Sequence, residues 1–408
     1  MQAPKLRFQK FDSNWISAKI GDIATVTSGG TPSRDKKAYW GGDIPWVTTS
    51  EIKYKHIYDS REKITAEGLK HSSAKLFHPD TILMAMYGQG NTRGDVAKLE
   101  IEAATNQACA AIIPHDGFDA DFIFQYLIGQ YSAIRELSNE GGQKNLSGSI
   151  IKNISLHFPG EVEQQKIASF LSLVDQKISL LSKKYKLLAQ YKKGVMQKIF
   201  NQEIRFKDKG DKDFPGWIPS DIESVFCNVG GTALESHVSS DARHKFISIG
   251  NYQKDGNYFD NGQRVLLNDK TRQKLLNKGD LVMVLNDKTQ AGDIIGSTII
   301  IDEDDMYIYN QRSERLIPRL EEFDTKFAWY YLNSFKFRNL VFSVSQGGTQ
   351  IYVNFPAVKK LFFPISSIKE QEKISDFLES LDEKISVISV QLELTKQYKQ
   401  GLLQQMFI

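Results

Sequence analysis

A stretch of 38 residues occurs twice in this chain without a gap. Residues 163–200, EQQKIASFLSLVDQKISLLSKKYKLLAQYKKGVMQKIF, return at 370–407 as EQEKISDFLESLDEKISVISVQLELTKQYKQGLLQQMF, with 18 of the 38 positions identical. Each copy closes a half of about equal length, so the 408 residues form a tandem duplication and are expected to fold as two equivalent units. The duplication extends beyond the helices. Pro79-Asp80-Thr81-Ile82-Leu83-Met84 with Gly94-Asp95 matches Gly279-Asp280-Leu281-Val282-Met283-Val284 with Gly292-Asp293, and Asn106-Gln107 stands before Pro114 as Asn310-Gln311 stands before Pro318. Phe122 and Tyr126-Leu127 correspond to Phe327 and Tyr331-Leu332.

The repeated stretch has the pattern of a coiled coil. Ile167, Leu171, Val174, Ile178, Leu181, Tyr185 and Leu188 alternate spacings of four and three, as do Ile374, Leu378, Leu381, Ile385, Ile388, Leu392 and Thr395; this is a heptad seam. Pro159 and Pro364 precede the helix starts, and Ser367 with Glu370 has the spacing of a capping box. Both copies place lysine at the next seam position, Lys192 and Lys399, either as a register device or as an edge residue whose charge reaches water. Residues 161–200 hold eight lysines against three acids, and residues 367–408 five lysines against seven acids. The two helices should therefore attract each other, and at 1.5 Å per residue each is about 60 Å long, enough for a spacer.

Composition narrows the class. Hydrophobic residues make up 41% and charged residues 25%, as in ordinary globular proteins, and no apolar run approaches the roughly 20 residues of a membrane span. The start MQAPKLRFQKFDSNW lacks the apolar core of a signal peptide, and Cys109 and Cys227 lie far apart, so a reducing cytoplasm is expected, with Cys109 a small core residue. The net charge of +3 is too small to announce a nucleic-acid protein, so any basic surface must be local.

Short apolar and β-branched runs, ILMAMY (82–87), ACAAIIP (108–114), KFISIG (245–250), DLVMVL (280–285) and STIIIDED (297–304), are separated by Gly- and Asn-rich turns, which predicts a mainly β core in each module. The spacing of apolar residues in 119–137 and 324–342 predicts one packing helix per module. The charged segment 201–217 repeats the flavour of 4–15 and reads as the linker that opens the second module. The expected fold is α+β: two tandem domains with mainly β cores plus packing helices, separated by two long helices that form an antiparallel coiled coil with pseudo-two-fold symmetry. The expected segments are 1–158 for domain one, 159–200 for the central helix, 201–215 for the linker, 216–362 for domain two and 363–408 for the C-terminal helix.

No catalytic constellation is found. The chain has no Gly-Lys pair of a phosphate loop, no HExxH, no GxGxxG after a strand and no Asn-Pro-Pro-Tyr motif for amino-methyl transfer; no metal site is expected. Polar loops instead occupy equivalent places in both modules. In module one they carry Ser28, Thr31 and Ser33 (SGGTPS, 28–33), Thr48 and Thr49 (TTSE, 48–51), Gln89, Asn91, Thr92 and Arg93 (GQGNTR, 88–93), and Gln143 and Lys144 (GGQKN, 141–145). In module two they carry Asn251, Tyr252 and Gln253 (GNYQKDG, 250–256), Asp287, Lys288, Thr289 and Gln290 (NDKTQ, 286–290), Arg312 (NQR, 310–312), and Gln346, Thr349 and Gln350 (QGGTQ, 346–350). Gln and Asn pair with adenine, Arg and Lys with guanine, and hydroxyls hold phosphates, so these are the candidate DNA contacts; a solvated loop remains the plain reading of any one of them.

FPGEVEQQKIASFLSLVDQKI and FPISSIKEQEKISDFLESLDEKI resemble the repeated helix starts of the specificity (S) subunit of Type I restriction-modification systems, and the resemblance covers the whole chain. It implies that residues 16–158 and 216–362 are target recognition domains, each reading one half of a bipartite DNA sequence. It also implies that the helices fix the spacing and carry two methyltransferase (M) subunits for adenine N6-methylation, and that restriction (R) subunits join them. S-adenosylmethionine, Mg and ATP would then belong to those partners and no cofactor to this non-catalytic chain. The alternative is a scaffold of two protein-binding modules on a coiled coil.

Overall fold

The computed structural model describes residues 4–88, 92–137 and 145–407. It consists of two compact units, Met1–Lys183 with Ser389–Ile408, and Lys184–Ile388. The boundary runs through both long helices.

Unit one holds a five-stranded sheet in the order Ala24–Ser28, Cys109–Pro114, Ile82–Ala85, Val96–Leu99, Lys55–Ile57, and a four-stranded sheet in the order Glu62–Ile64, Trp40–Val47, Ala103–Thr105, Leu76–Phe77. Unit two repeats the plan with Phe226–Gly230, Ser313–Pro318, Leu281–Val284, Thr298–Ile300, and with Arg264–Val265, His244–Ile247, Tyr307–Tyr309, Leu275–Leu276. In the second sheet of each unit one inner pair is parallel, Trp46 opposite Ala104 and Phe246 opposite Ile308. The central strands read as continuous apolar runs because both their faces are covered. Ile82 and Met84 join the core beneath the helices while Leu83 and Ala85 join a second core between the sheets; Leu281 and Met283 divide from Val282 and Val284 in the same way. Successive side chains point to opposite faces, so only a sheet with a core on each side accepts four apolar residues in a row.

Each packing helix is broken, where the sequence suggested one piece. Ala120–Gly129 is followed by Tyr131–Glu136, with Gln130 off helical geometry at ψ 9°. Thr325–Leu332 is followed by Phe335–Ser343, which Ser334 caps by accepting from the Phe337 N–H. At the second break Asn333 bonds to a strand, donating to the Thr298 carbonyl (2.8 Å) and accepting from the Thr298 N–H (3.0 Å). A side-chain amide that copies a peptide group competes with the helix for its backbone.

The central helix, Glu161–Phe200, and the C-terminal helix, Ile368–Met406, are unbroken. In unit one, Ile167, Leu171 and Val174 of the first share a core with Leu402, Leu403 and Met406 of the second, and Phe407 sets its ring edge-on to Phe122 and Tyr126. In unit two, Ile374, Leu378 and Leu381 meet Ile199 and Phe200, and Phe200 packs edge-on against Phe327 and Tyr331. Each unit thus combines the start of one helix with the antiparallel end of the other. The seam residues are buried or half-buried except Tyr185, which is exposed at 37%. Both seam lysines are paired across the helices: Lys399 with Asp175 at 2.7 Å in unit one, Lys192 with Asp382 at 2.5 Å in unit two. Asp175 also accepts from Gln125 (2.7 Å) and Asp382 from the Tyr330 hydroxyl (2.8 Å), so a single carboxylate ties the seam to the packing helix. These lysines act as register devices.

The Glu-Gln that opens each repeat is a buried staple. Gln164 accepts from the Asp119 N–H and donates to the Pro159 carbonyl; Gln371 accepts from the Asp324 N–H and donates to the Ser366 carbonyl. Glu163 binds Arg7 through two bonds of 2.7 Å, and Glu370 binds Arg205 at 2.8–3.1 Å. The expected capping box is therefore absent: the Glu370 carboxylate is spent on Arg205 and Trp217, and the Ser367 hydroxyl makes no hydrogen bond among the described residues. The charged segment after the central helix is strapped down by Arg205 and by Phe206 against Phe377, as Arg7 and Phe8 are strapped at the other helix start.

Candidate nucleic-acid interface

The four polar loops of module two come together at one end of its sheets. Backbone bonds hold them there: the Asn310 N–H to the Ile247 carbonyl (3.1 Å), Leu285 N–H to Arg312 (2.8 Å), Val353 N–H to Leu285 (2.9 Å) and Gly231 N–H to Ser313 (3.0 Å). Asn286–Asp287 pairs with Ile351–Tyr352, which stitches two of the loops into a short ribbon. Module one repeats three of these bonds, Asn106 N–H to Val47 (3.2 Å), Met86 N–H to Ala108 (2.9 Å) and Leu146 N–H to Met86 (2.9 Å), while its Gly30 N–H binds Thr105 (2.8 Å), the residue before the asparagine. In both frames the asparagine turns the chain, Asn106 Oδ1 accepting from the Ala108 N–H and Asn310 Oδ1 from the Arg312 N–H, as Asx turns do.

In module two the loops enclose an open polar cleft of about 430 Å³ lined by Ser248, Ile249, Gly250, Asn286, Asp287, Lys288, Arg312 and Gln350. Of the sequence-derived candidates, Lys288, Arg312 and Gln350 line it with exposed side chains, and Gln253, Gln290, Gln346 and Thr349 are exposed on the loops around it. Three candidates are corrected. Asn251 is wholly buried, accepting from the Ser248 N–H and donating to the Phe259 carbonyl. Tyr252 is buried with its hydroxyl on Ser313. Asp287 is buried, and its carboxylate accepts from the Thr289 N–H and hydroxyl and from the Ile294 N–H. These groups hold the loops through hydrogen bonds within the protein. Arg338, from the packing helix, braces the same loop by donating to the Asp293 and Ile295 carbonyls, and burial pushes its guanidinium down to about 10. Gly292 lies at φ +65° with Phe342 and Ile351 2.7 Å from any Cβ, so the loop turns only on glycine.

Glu235 was not apparent from the sequence, because nothing in the corresponding stretch of module one signals an acid there. Its carboxylate accepts from Asn310 Nδ2 and Gln311 Nε2, both at 3.1 Å, and lies 3.5 Å from Arg312 Nη1. Burial raises its pKa, but hydrogen bonds from its own backbone, Gln311, Asn310 and Leu234 outweigh this and hold it below the usual glutamate value.

In module one, Thr48 and Thr49 follow the strand that ends at Val47, with the Thr48 N–H bound to Glu51, and Thr31 donates to Gln107 across the frame. Ser28 ends its strand half-buried and Ser33 is exposed. Thr92 donates to the Tyr87 carbonyl. Arg93 is corrected: it is buried, donating to the Arg135 carbonyl. Gln89, Asn91, Gln143 and Lys144 lie outside the described residues. Cys109 is buried, and burial holds its thiol up at about 12, so it is a core residue.

Among the described residues His56, Glu100 and Asp121 are close enough to share a metal ion. The charge there is already met by Lys98, which is 5% exposed and contacts Asp80, Glu100 and Asp121 at 2.9–3.0 Å. Burial lowers the Lys98 pKa, but the three carboxylates outweigh it and raise it. An ammonium held by three acids is an ion cluster that joins strand to helix.

One frame reproduced twice with different side chains on it defines a duplicated recognition protein. Both halves match the Type I restriction modification DNA specificity domain, over residues 12–190 and 216–395. The chain belongs to that family, whose task is recognition of a DNA target. It is 33% identical over 223 residues to the MjaIX specificity subunit of Methanocaldococcus jannaschii, a match that covers 51% of this chain and 50% of that one. It is 24% identical over 396 residues to the MjaVIII specificity subunit of the same organism, covering 92% and 87%. The fold is that of the S subunit from M. genitalium, with a TM-score of 0.62 over 100% of this chain and 99% of that one at 15% identity. Among the described residues no helix is long and apolar enough to cross a membrane.

Proposed function

We propose that this chain is the non-catalytic DNA-reading subunit of a Type I restriction-modification complex in which each module reads one half of a bipartite target. The observation that carries the reading is the doubled frame: three matching backbone bonds and one turning asparagine in each module, with different side chains set on them, suit two half-sites of different sequence. The long helices set the distance between half-sites and dock two methyltransferase subunits, which restriction subunits join. S-adenosylmethionine, Mg and ATP act on those partners. Docking is supported by further apolar residues beside the seam. In unit one Leu173 and Leu180 are 63% and 68% exposed, and Phe170, Leu173, Val174, Leu394 and Tyr398 line an open, mostly apolar groove between the two helices. In unit two Leu187, Tyr191 and Val387 are exposed likewise. Large exposed apolar surface marks a binding face, and a helix of a partner fits a groove of this shape.

The test combines the purified chain with a methyltransferase subunit, S-adenosylmethionine and genomic DNA, followed by sequencing of methylated bases. N6-methyladenine in a split motif is expected. A chain that neither shifts DNA nor directs methylation would be a scaffold for proteins instead.

A further inference from the structure

We propose that module two reads a guanine through Arg312, with Glu235 as the residue that positions it, while module one reads no base by hydrogen bonding from the matching place. The inference rests on the DNA-reading function proposed above and adds the base. Arg312 and Ala108 occupy the same frame position, two residues after the turning asparagine, where the residue gives its N–H to Asn Oδ1 in both modules and its carbonyl to the Leu285 or Met86 N–H. Its backbone is therefore fixed before any ligand arrives. The Arg312 side chain is 46% exposed and lines the cleft. The groups that orient it come from its own turn: Asn310 and Gln311 both donate to Glu235, and Glu235 stands beside Arg312 Nη1.

The neighbouring carboxylate decides between phosphate and base. A phosphate holder works through net positive charge, and Glu235 at 3.5 Å cancels much of it while repelling a phosphate. A base edge is a neutral dipole and asks only for donors in a fixed plane. Guanine presents O6 and N7 as two acceptors in the major groove, the pattern that a guanidinium fork matches with two bonds. The Glu235 contact involves Nη1 alone and leaves most of the five guanidinium N–H groups to do this. Ala108 has no donor, so the two modules differ in base choice at this point of an otherwise shared frame.

The full chain, assembled with methyltransferase subunits, is used to methylate a randomised duplex library, and the methylated molecules are sequenced. The unaltered chain is expected to give a split motif with an invariant guanine in one half. Arg312→Ala should lower the preference at that one position by roughly 10- to 100-fold, Arg312→Lys should lower it by a smaller factor, and both should leave the other half-site unchanged. Lysine keeps the charge but lacks the planar fork, so a phosphate contact would survive Arg312→Lys. Glu235→Gln should lower the same preference with the melting temperature unchanged, which a merely structural role would not do. The proposal is overturned if the motif stays intact in Arg312→Ala, if binding weakens equally for all sequences, or if neither half contains a guanine that responds. A chain that yields no split motif at all overturns the function on which the inference rests, and a motif that ignores Arg312 overturns only the inference.

Discussion

The two repeated Glu-Gln starts look alike in sequence but differ in one bond, and that difference predicts unequal coupling. Glu370 is wholly buried and accepts from Arg205 and from Trp217 Nε1 at 2.9 Å. Glu163 is 2% exposed and accepts from Arg7, but the buried Trp15 Nε1 has no hydrogen-bond partner among the described residues. In a double-mutant cycle of Glu370→Ala with Trp217→Phe, the coupling should be the worth of a hydrogen bond to a charged group, about 2 kcal/mol. The cycle of Glu163→Ala with Trp15→Phe should give under about 0.5 kcal/mol, since no bond is lost. Trp15→Phe alone should cost only packing, because it removes a polar group that is unpaired already. Two kcal/mol corresponds to a shift of about 4–8 °C for a unit of some 200 residues, which calorimetry resolves. The two units need not unfold together, so the traces are fitted with two transitions. Equal coupling in the two cycles would refute the reasoning.

Further outcomes follow from the seam and from one buried acid. Inserting four helical residues after both Leu181 and its repeat equivalent Ile388 adds about 6 Å of helix and should lengthen the recognised spacer by at most about two base pairs at 3.4 Å each with both half-sites kept; methylation mapping that showed altered half-sites and the old spacing would sink the spacer role. Exchanging the partners of one seam pair, Asp175→Lys with Lys399→Asp, should recover part of the stability that Lys399→Asp alone loses by facing Asp175, as read in the melting of unit one; no recovery would mean that the pair is incidental. Glu314 is 6% exposed, and burial raises its pKa although the Asn228 amide lowers it. A carboxyl whose folded pKa is raised favours the folded state below the ordinary glutamate range and loses that benefit as the pH climbs through the raised value. Glu314→Gln should therefore stabilise unit two at neutral pH and confer no advantage in acid, a comparison that melting at two pH values decides.

How much of this was legible in the sequence depends on where each residue finds its partner. The central strands could be read because four apolar residues in a row need two cores, and the seam because its period is written along one helix. The meaning of Glu163 and Glu370 could not be read, since Arg7 and Arg205 lie 156 and 165 positions away; the spacing looked like a capping box for want of the tertiary partner. Lys192 and Lys399 were visible as exceptions to the seam, but the carboxylates that explain them lie on the other copy of the helix.

The loops hold both residues that face outward and residues that are buried in building them, for one physical reason. Asn, Asp, Ser and Thr are used to turn a chain because their side chains bond to nearby backbone, and the same groups bond to bases and phosphates. A polar loop is therefore a mixture of groups that build it and groups that it presents. Asn251, Asp287 and Asn310 are consumed in building, whereas Lys288, Gln350 and Arg312 are presented. The Asx turn at Asn106 and Asn310 marks where the division falls: the asparagine fixes the backbone of the residue two places on, and that residue is free to differ. With alanine there in one module and arginine in the other, the duplicated chain keeps one scaffold while the two modules diverge in the side chain they set on it.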